Sequence, residues 1–486
     1  MPDTVLNVAD RKQLFIDRCF IDSSDGITLA VNPPERQEVV LRGEGPWERA
    51  GVYATVIDDG EKARLYYNTH VHGDGMKSGR LCYAESADGI HFEKPSLGLY
   101  EWEGSRENNI VFPDVLDATP FLDPVAPPEA RWKLIYNFGR PGQPQAGEAG
   151  VSGICLATSA DGLRWNPLPA PLLPLMAETH KTSLWDADLR KYVVILRVIA
   201  EAPGRPRAIG RIEMEDITRP WPYRPDPSAE GKHALYASER TVPMVFSADE
   251  GDPPDTDFYT SAYVKYPWAQ DVHLMFPTAY RHTPPPVGVD GNDGPLATQF
   301  ACSRDGIAWD RPDRRPYLRP GLHSEFDRGY NMMIAGLVRR GDWLYQYYVA
   351  KGGTHHGPTG DLPPEEQQKL GSGCYVRARQ RLDGFMSADA AYGGGAFTTP
   401  PLQAEGTRLE LNIDTEATGT AVVELLDDQG NVFPGYGRAD CDVIGGNDLA
   451  RIVTWGGKPE LPALDKPLRL RFIMRSTKLY AFQFVG

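Results

Sequence analysis

The sequence predicts an all-β chain: a five-bladed β-propeller over residues 1–387, followed by a β-sandwich over residues 388–486. Three observations lead there. Helical periodicity is nearly absent, and short apolar runs broken by Gly, Pro, Asn and Asp dominate. A short box recurs along the chain. It reads SADGIHF at Ser86–Phe92, SADGLRW at Ser159–Trp165 and SRDGIAW at Ser303–Trp309, with degenerate copies EDITRPW at Glu215–Trp221 and RLDGFMS at Arg381–Ser387. After Ser387 the texture changes to alternating strands and tight turns without the box.

Each box closes a unit of constant order. An apolar strand comes first, then a hairpin turn, then an aromatic-rich second strand. The second strands read ARLYYN from Ala63, RWKLIYN from Arg131, KYVVILR from Lys191, VHLMFPT from Val272 and DWLYQYY from Asp342. A third strand, such as RLCYAES or GICLATS, leads into the Asp-Gly turn, and a fourth begins near the aromatic residue of the box. Five units of four strands make five propeller blades. Cys82 and Cys155 support the alignment, since each stands six residues before the aspartate of its box. The aspartates themselves (Asp88, Asp161, Asp216, Asp305 and Asp383) are read as structural. Asp accepts backbone N–H bonds within a turn and Gly takes positive φ, so turn chemistry explains the pair.

Beyond Ser387 the runs GAFTTPPL, TRLELNI, TAVVELLDDQG, ARIVTWGG, LRLRFIM and KLYAFQFVG alternate as strands of a sandwich of ordinary domain size. The N-terminal run QLFIDRCFI is expected to complete a sheet, either in blade five or in the sandwich.

Composition excludes several classes. The formal net charge is −15, which repels phosphate backbones and argues against a nucleic-acid partner. No apolar run approaches the roughly 18 residues needed to span a bilayer. The N-terminus lacks a basic stretch followed by an apolar one, so a cytoplasmic location is expected. Six widely spaced cysteines without a CxxC pair read as free, buried thiols. Assembly into a homo-oligomer is compatible with all of this.

The boxes, the five units and the C-terminal run RLRFIMRSTKLYAFQF resemble the five-bladed glycosidase propellers, of which glycoside hydrolase families 32 and 43 are the best-known members. The PWE motif at Pro46–Glu48, the segment KPSLGLYEWEGSRENNIVF and the FLDP motif look like a family-32-like bacterial subgroup. Two family-32 motifs are absent: the Asn-Asp-Pro-Asn-Gly nucleophile run and the Arg-Asp-Pro motif of the second blade. Invertase-type activity is therefore not implied. The resemblance implies glycoside hydrolysis of a carbohydrate substrate. A glycoside phosphorylase and a non-catalytic sugar-binding propeller are the alternatives, and no cofactor is needed.

In a propeller of this kind the site lies where first strands start and second strands end. The first-strand starts offer Glu48 in blade one, and Asp117 with Asp123 in blade two. Blade three offers Glu178, His180 and Lys181, blade four Asp257 and Tyr259, and blade five Glu325, Asp327, Arg328 and Tyr330. The second-strand ends add His70, His72, Asn137, Arg140, Arg197, Arg281, His282, Lys351, His355 and His356. Glycoside cleavage needs two carboxyl groups with different tasks. By blade position the resemblance implies Glu48, Asp117 and Glu178 as nucleophile or base, transition-state stabiliser and general acid, with Asp257 and Asp327 in reserve. His70, His72, His180, Lys181, Tyr259, Arg281, Arg328, Tyr330 and His355 are the expected sugar-binding groups. The histidines complete no metal-ligand set of diagnostic spacing, so no metal is expected. Long Gly- and Pro-rich loops at residues 70–79, 139–150 and 352–362 are expected to rise around a blind pocket, which implies exo-action on a terminal sugar.

Overall fold

The computed structural model describes residues 5–48, 53–70, 79–113, 115–138, 153–230, 232–284, 293–322, 325–355, 373–463 and 466–486. The chain is all-β: among the described residues the α-helix amounts to one turn, Lys232–Leu235. Three four-stranded antiparallel sheets come first. They are Ala54–Asp58, Ala63–His70, Gly79–Ser86 and Ile110–Pro113; then Leu116–Leu122, Trp132–Phe138, Gly153–Ser159 and Asn166–Pro167; then Thr182–Asp186, Lys191–Ile199, Arg207–Met214 and Met244–Phe246.

The fourth unit is interrupted. Its second strand, which the sequence suggests as one run from Val272, splits into His273–Met275 and Thr278–Arg281. Pro277 stands at the break, and proline brings no N–H to a ladder. The fifth unit pairs Tyr330–Met333, Trp343–Lys351 and Cys374–Arg381, and its outer strand is Glu35–Arg42 from the N-terminal end.

The boxes form as turn chemistry dictates. In all three full copies the Ser Oγ accepts the Gly N–H at 2.9 Å, from Gly89, Gly162 and Gly306. Oδ1 of Asp88, Asp161 and Asp305 accepts the next two N–H groups beyond the Gly at 2.8–2.9 Å. Each turn also docks on the preceding sheet. Tyr347 of the fifth unit donates to Gly89 O at 2.6 Å, Arg64 of the first to Asp161 O at 3.1 Å, and Arg211 of the third to Gly306 O at 3.0 Å. A Cβ on Gly162 would stand 2.5 Å from the Tyr66 hydroxyl, so this close approach requires glycine. The Tyr347 contact, with the bridge Thr55↔Ala335, brings the fifth unit against the first.

Asp383, in the degenerate last box, differs. It is fully buried and takes Lys12 at 2.9 Å, the Tyr266 hydroxyl at 2.6 Å and Asn412 at 3.2 Å. This aspartate ties the N-terminal segment, the fourth unit and the C-terminal strands together.

Two six-stranded sheets make up the rest. One is centred on Leu468–Arg475, the other on Thr477–Val485, and they share one apolar core. The N-terminal run joins this part: Gln13 and Leu14 pair with Phe482 and Ala481, and Phe15 sits fully buried against Phe397, Phe472 and Phe482. Truncating such a core phenylalanine costs about 3–5 kcal/mol. Met386–Ala390 already belongs here, paired with Ile27–Val31 and Thr477–Val485. Cys19 is exposed and the other five cysteines are buried, all of them free. No helix among the described residues is long and apolar enough to cross a membrane.

Candidate functional site

The box gives each unit a ruler. The residue opposite the position two before its aspartate is Ala63, Trp132, Tyr192, His273 or Trp343. Five residues on, at the other end of the second strand, stand Asn68, Asn137, Arg197, Thr278 and Tyr348. Asn68 is spent on backbone: its amide donates to Ala118 O at 2.8 Å and accepts the Ala118 N–H at 2.8 Å. Asn137 donates to Asp117 Oδ2 and to Ala177 O, both at 2.9 Å. Arg197 donates to Glu178 Oε2 at 2.9 Å. The same ladder position thus passes from a backbone staple to a holder of carboxylates.

Asp117 and Glu178 belong to one cluster. Asp117 lies on a bulge of its strand with φ +51°, and Thr179 has φ +87°. The Thr179 N–H donates to Asp117 Oδ2 at 3.0 Å. Each left-handed non-glycine residue costs on the order of 1–3 kcal/mol, and such strain gathers where a geometry is imposed by function. Glu178 also accepts from the Tyr236 hydroxyl at 2.8 Å. Lys181 is fully buried, donates to Ala177 O and Thr179 O at 3.0 Å, and feels both carboxylates. Burial, only partly offset by Asp117, brings its ammonium down to about 8. His180 contacts the Thr55 hydroxyl at 2.9 Å and stacks on Tyr53; burial, with Lys181 beside it, takes its imidazole down to about 3, so it is neutral at pH 7.

Tyrosines line the far side. Tyr53 and Tyr259 share a hydroxyl hydrogen bond of 2.9 Å, and His355 reaches Tyr259 at 3.0 Å. Tyr330 lies under the Lys351 ammonium, 4.8 Å from the ring centroid. Burial brings Lys351 down to about 8. Asp257 is beside the cluster but closed: Oδ2 takes Arg207 at 3.1 Å and His282 at 3.0 Å, and Arg207 lies over the Tyr259 and Tyr280 rings.

Exposure separates the five expected acids. The side chains of Glu48, Asp257 and Asp327 are 0–1% exposed, against 40% for Glu178, and Asp117 is half-buried. Glu48 is not brought to the cluster: Lys94 at 2.5 Å, the Tyr67 hydroxyl and the Glu44 and Gly45 N–H groups hold it. Asp327 is also held elsewhere. Arg36 clamps both its oxygens at 2.8 Å and Tyr348 donates at 3.0 Å, so it anchors the strand that completes the fifth unit. Sequence position suggests both as first-strand starts, but the chain places them where a cation was waiting.

Among the expected sugar-binding groups, His180, Lys181, Tyr259, Tyr330 and His355 join the cluster. Arg281 is an exposed side chain facing Asp255, and Arg328 donates to Gly352 O at 2.8 Å. His72, His356, Arg140 and the His70 side chain lie outside the described residues, as do most of the loops expected around the mouth. Tyr53, Tyr236 and Arg207 were not anticipated. Tyr53 stands at a first-strand start and was findable. Tyr236 lies in an aperiodic stretch and Arg207 among prolines, with no local signal. Among the described residues no cluster of His, Cys, Asp and Glu has the makings of a metal site. Three clefts lie away from the cluster: an apolar one between the first two sheets, a small one by the Ser303–Asp305 turn, and one on the C-terminal sheets.

No protein-family model and no curated protein matches the chain. Solved structures do. A glycosyl hydrolase from Bacteroides ovatus is 13% identical, over 72% of this chain and 94% of that one, with a TM-score of 0.45. A member of the GH130 family, described as mannoside phosphorylases containing glycoside hydrolases that target β-1,2 mannosidic linkages in Candida mannan, is 15% identical over 72% and 94%, with a TM-score of 0.43. An N-acetylgalactosamine deacetylase from F. plautii, in complex with blood group B trisaccharide, is 12% identical over 74% and 96%, with a TM-score of 0.44.

Proposed function

We propose that this chain is a carbohydrate-active enzyme that cleaves a glycosidic bond at the Asp117–Glu178 cluster. The repeat units are read as a five-bladed propeller with the cluster at its axis, and the two C-terminal sheets as a sandwich. One observation carries the functional reading. Of the five candidate acids only Asp117 and Glu178 are open, and both look onto Lys181 and Tyr236. Glycoside cleavage asks for two such carboxyl groups in different surroundings.

Their surroundings do differ. Glu178 accepts from a guanidinium and a phenol, which suits a base or nucleophile. Asp117 leaves Oδ1 without a hydrogen bond among the described residues, which suits the proton donor. This exchanges the tasks that blade position alone implied for Glu178. His180, neutral, and the tyrosines supply uncharged partners for sugar hydroxyls.

A second reading rests on the cations. Lys181, Arg197, Arg207 and Lys351 surround the cluster, and the Lys351 ammonium makes no hydrogen bond or ion pair among the described residues. Such a site would also receive inorganic phosphate as nucleophile. A screen of aryl glycosides and oligosaccharides, with and without phosphate, decides between the two. Free sugar in both conditions supports hydrolysis, phosphate-dependent sugar 1-phosphate supports phosphorolysis, and turnover of nothing rejects both. Release of a single monosaccharide from a polymer end supports the exo-acting, blind pocket, and early mixed oligosaccharides overturn it.

A further inference from the structure

On the outer face of the sheet centred on Leu468–Arg475, one patch departs from the polar surface that a solvated sheet face presents. Ala396, Val422 and Ile473 stand side by side on three neighbouring strands and are half-buried. They floor a cleft of about 640 Å³, a size within the ~300–1,000 Å³ of small-molecule sites.

The rim has a chemistry of its own. Val443, in the lining, is 62% exposed, and Tyr392, just outside the lining beside Gly393, is 78% exposed, the most open of the large apolar residues described. The Arg475 guanidinium lies 5.8 Å from the Tyr392 ring. Arg438 is exposed, and its guanidinium makes no ion pair or hydrogen bond among the described residues. Two arginines therefore face one acid, Asp25, in a chain whose net charge is −15. Gly393, next to Tyr392, has no strained φ, and a Cβ there would meet nothing within 4 Å. Packing does not demand that glycine; what it preserves is an open side to the cleft.

We infer that this cleft is a second carbohydrate-binding surface, separate from the axial cluster, that takes an acidic glycan chain. The apolar face of a sugar ring stacks on Tyr392, and Arg438 and Arg475 pair with its carboxylates, an interaction guanidinium makes bidentately. The floor of small and branched side chains lets a flat ring lie close to the sheet.

The test is electrophoresis of the whole chain through gels containing polygalacturonate, with dextran gels as the neutral control. Polygalacturonate should retard the protein, added salt should weaken the effect, and dextran should retard at least tenfold less. Tyr392→Ala and Arg438→Gln, both on the surface, should each weaken binding about tenfold, the worth of one charge-assisted or stacking contact. Glu178→Gln should bind as before. Four outcomes overturn the inference: no retardation, equal retardation by dextran, retention of binding in both surface variants, or loss of binding in Glu178→Gln. A wild-type dimer in size-exclusion chromatography that becomes monomeric in Tyr392→Ala would also overturn it, by giving the cleft to a second copy.

Discussion

The two ends of the propeller-like strands obey different rules. At one end Asp88, Asp161 and Asp305 make the same bonds to the same backbone groups, unit after unit. At the other end the equivalent positions are Asn68, Asn137, Arg197, Thr278 and Tyr348; the two asparagines share a bond to an alanine carbonyl of the next unit, but Asn137 also holds Asp117, and the other three each bond differently. A turn has the same local problem in every unit, so one solution repeats. A site is assembled from several units at once, so no unit can repeat another. The candidate site is found where the repeat is broken.

The largest effect that tests this contrast is at the open end. Glu178→Gln should lower kcat/KM about 10³-fold on a confirmed substrate, within the range general acid–base groups supply, while the melting temperature holds. Activity within threefold of wild type would break the contrast. Asp327→Ala should do the reverse. It leaves Arg36 and Tyr348 without their acceptor and should cost about 2–3 kcal/mol in denaturant melts, with the activity of the folded fraction kept.

Lys181 sharpens the site further. Its ammonium is charged below about pH 8 and neutral above, so kcat/KM should fall about tenfold per pH unit on the alkaline side. Lys181→Met should abolish that limb in a rate profile from pH 6 to 10, and Lys351→Met should leave it. If Lys351→Met removes the limb instead, the titrating cation sits on the tyrosine side.

The smallest effect is at the repeating end. Asp161→Ala and Asp305→Ala should each cost about 1 kcal/mol, the worth of a side-chain cap on a turn. Burial raises these carboxylates, but the turn N–H groups outweigh it and hold them below the usual range. A depressed folded value stabilises above the unfolded value, near pH 4, and is lost as pH falls through the folded one. Melts at pH 7 and pH 3 should therefore differ less in Asp161→Asn than in the wild type.

Legibility follows the same divide. The boxes, the five second strands and the change of texture after Ser387 could be read because each rests on local chemistry. Pro277 was equally plain in VHLMFPT, and weighing its missing N–H would have split that strand in advance. The candidate cluster was legible in part. Asp117, Glu178, His180 and Lys181 were placed by strand order alone. Glu48 and Asp327 could not be excluded from sequence, because the groups that occupy them, Lys94 and Arg36, are brought in by tertiary packing. Tyr236 arrives from a stretch without periodicity through one bridge, Met176↔Tyr236.

The outer strand of the fifth unit sets the order in which the molecule can be made. Glu38 on that strand meets Arg377, 339 residues later. At about 5–20 residues per second of synthesis, Glu35–Arg42 waits on the order of 20–70 s for its partner to leave the ribosome. A strand left unpaired that long invites association with other nascent chains, and charges along an edge are the usual defence. The run ERQEVVLR carries four of them. The residues that later clasp Asp327, Arg377 and Arg379 thus have an earlier task, keeping an orphan strand dissolved until its acceptor exists.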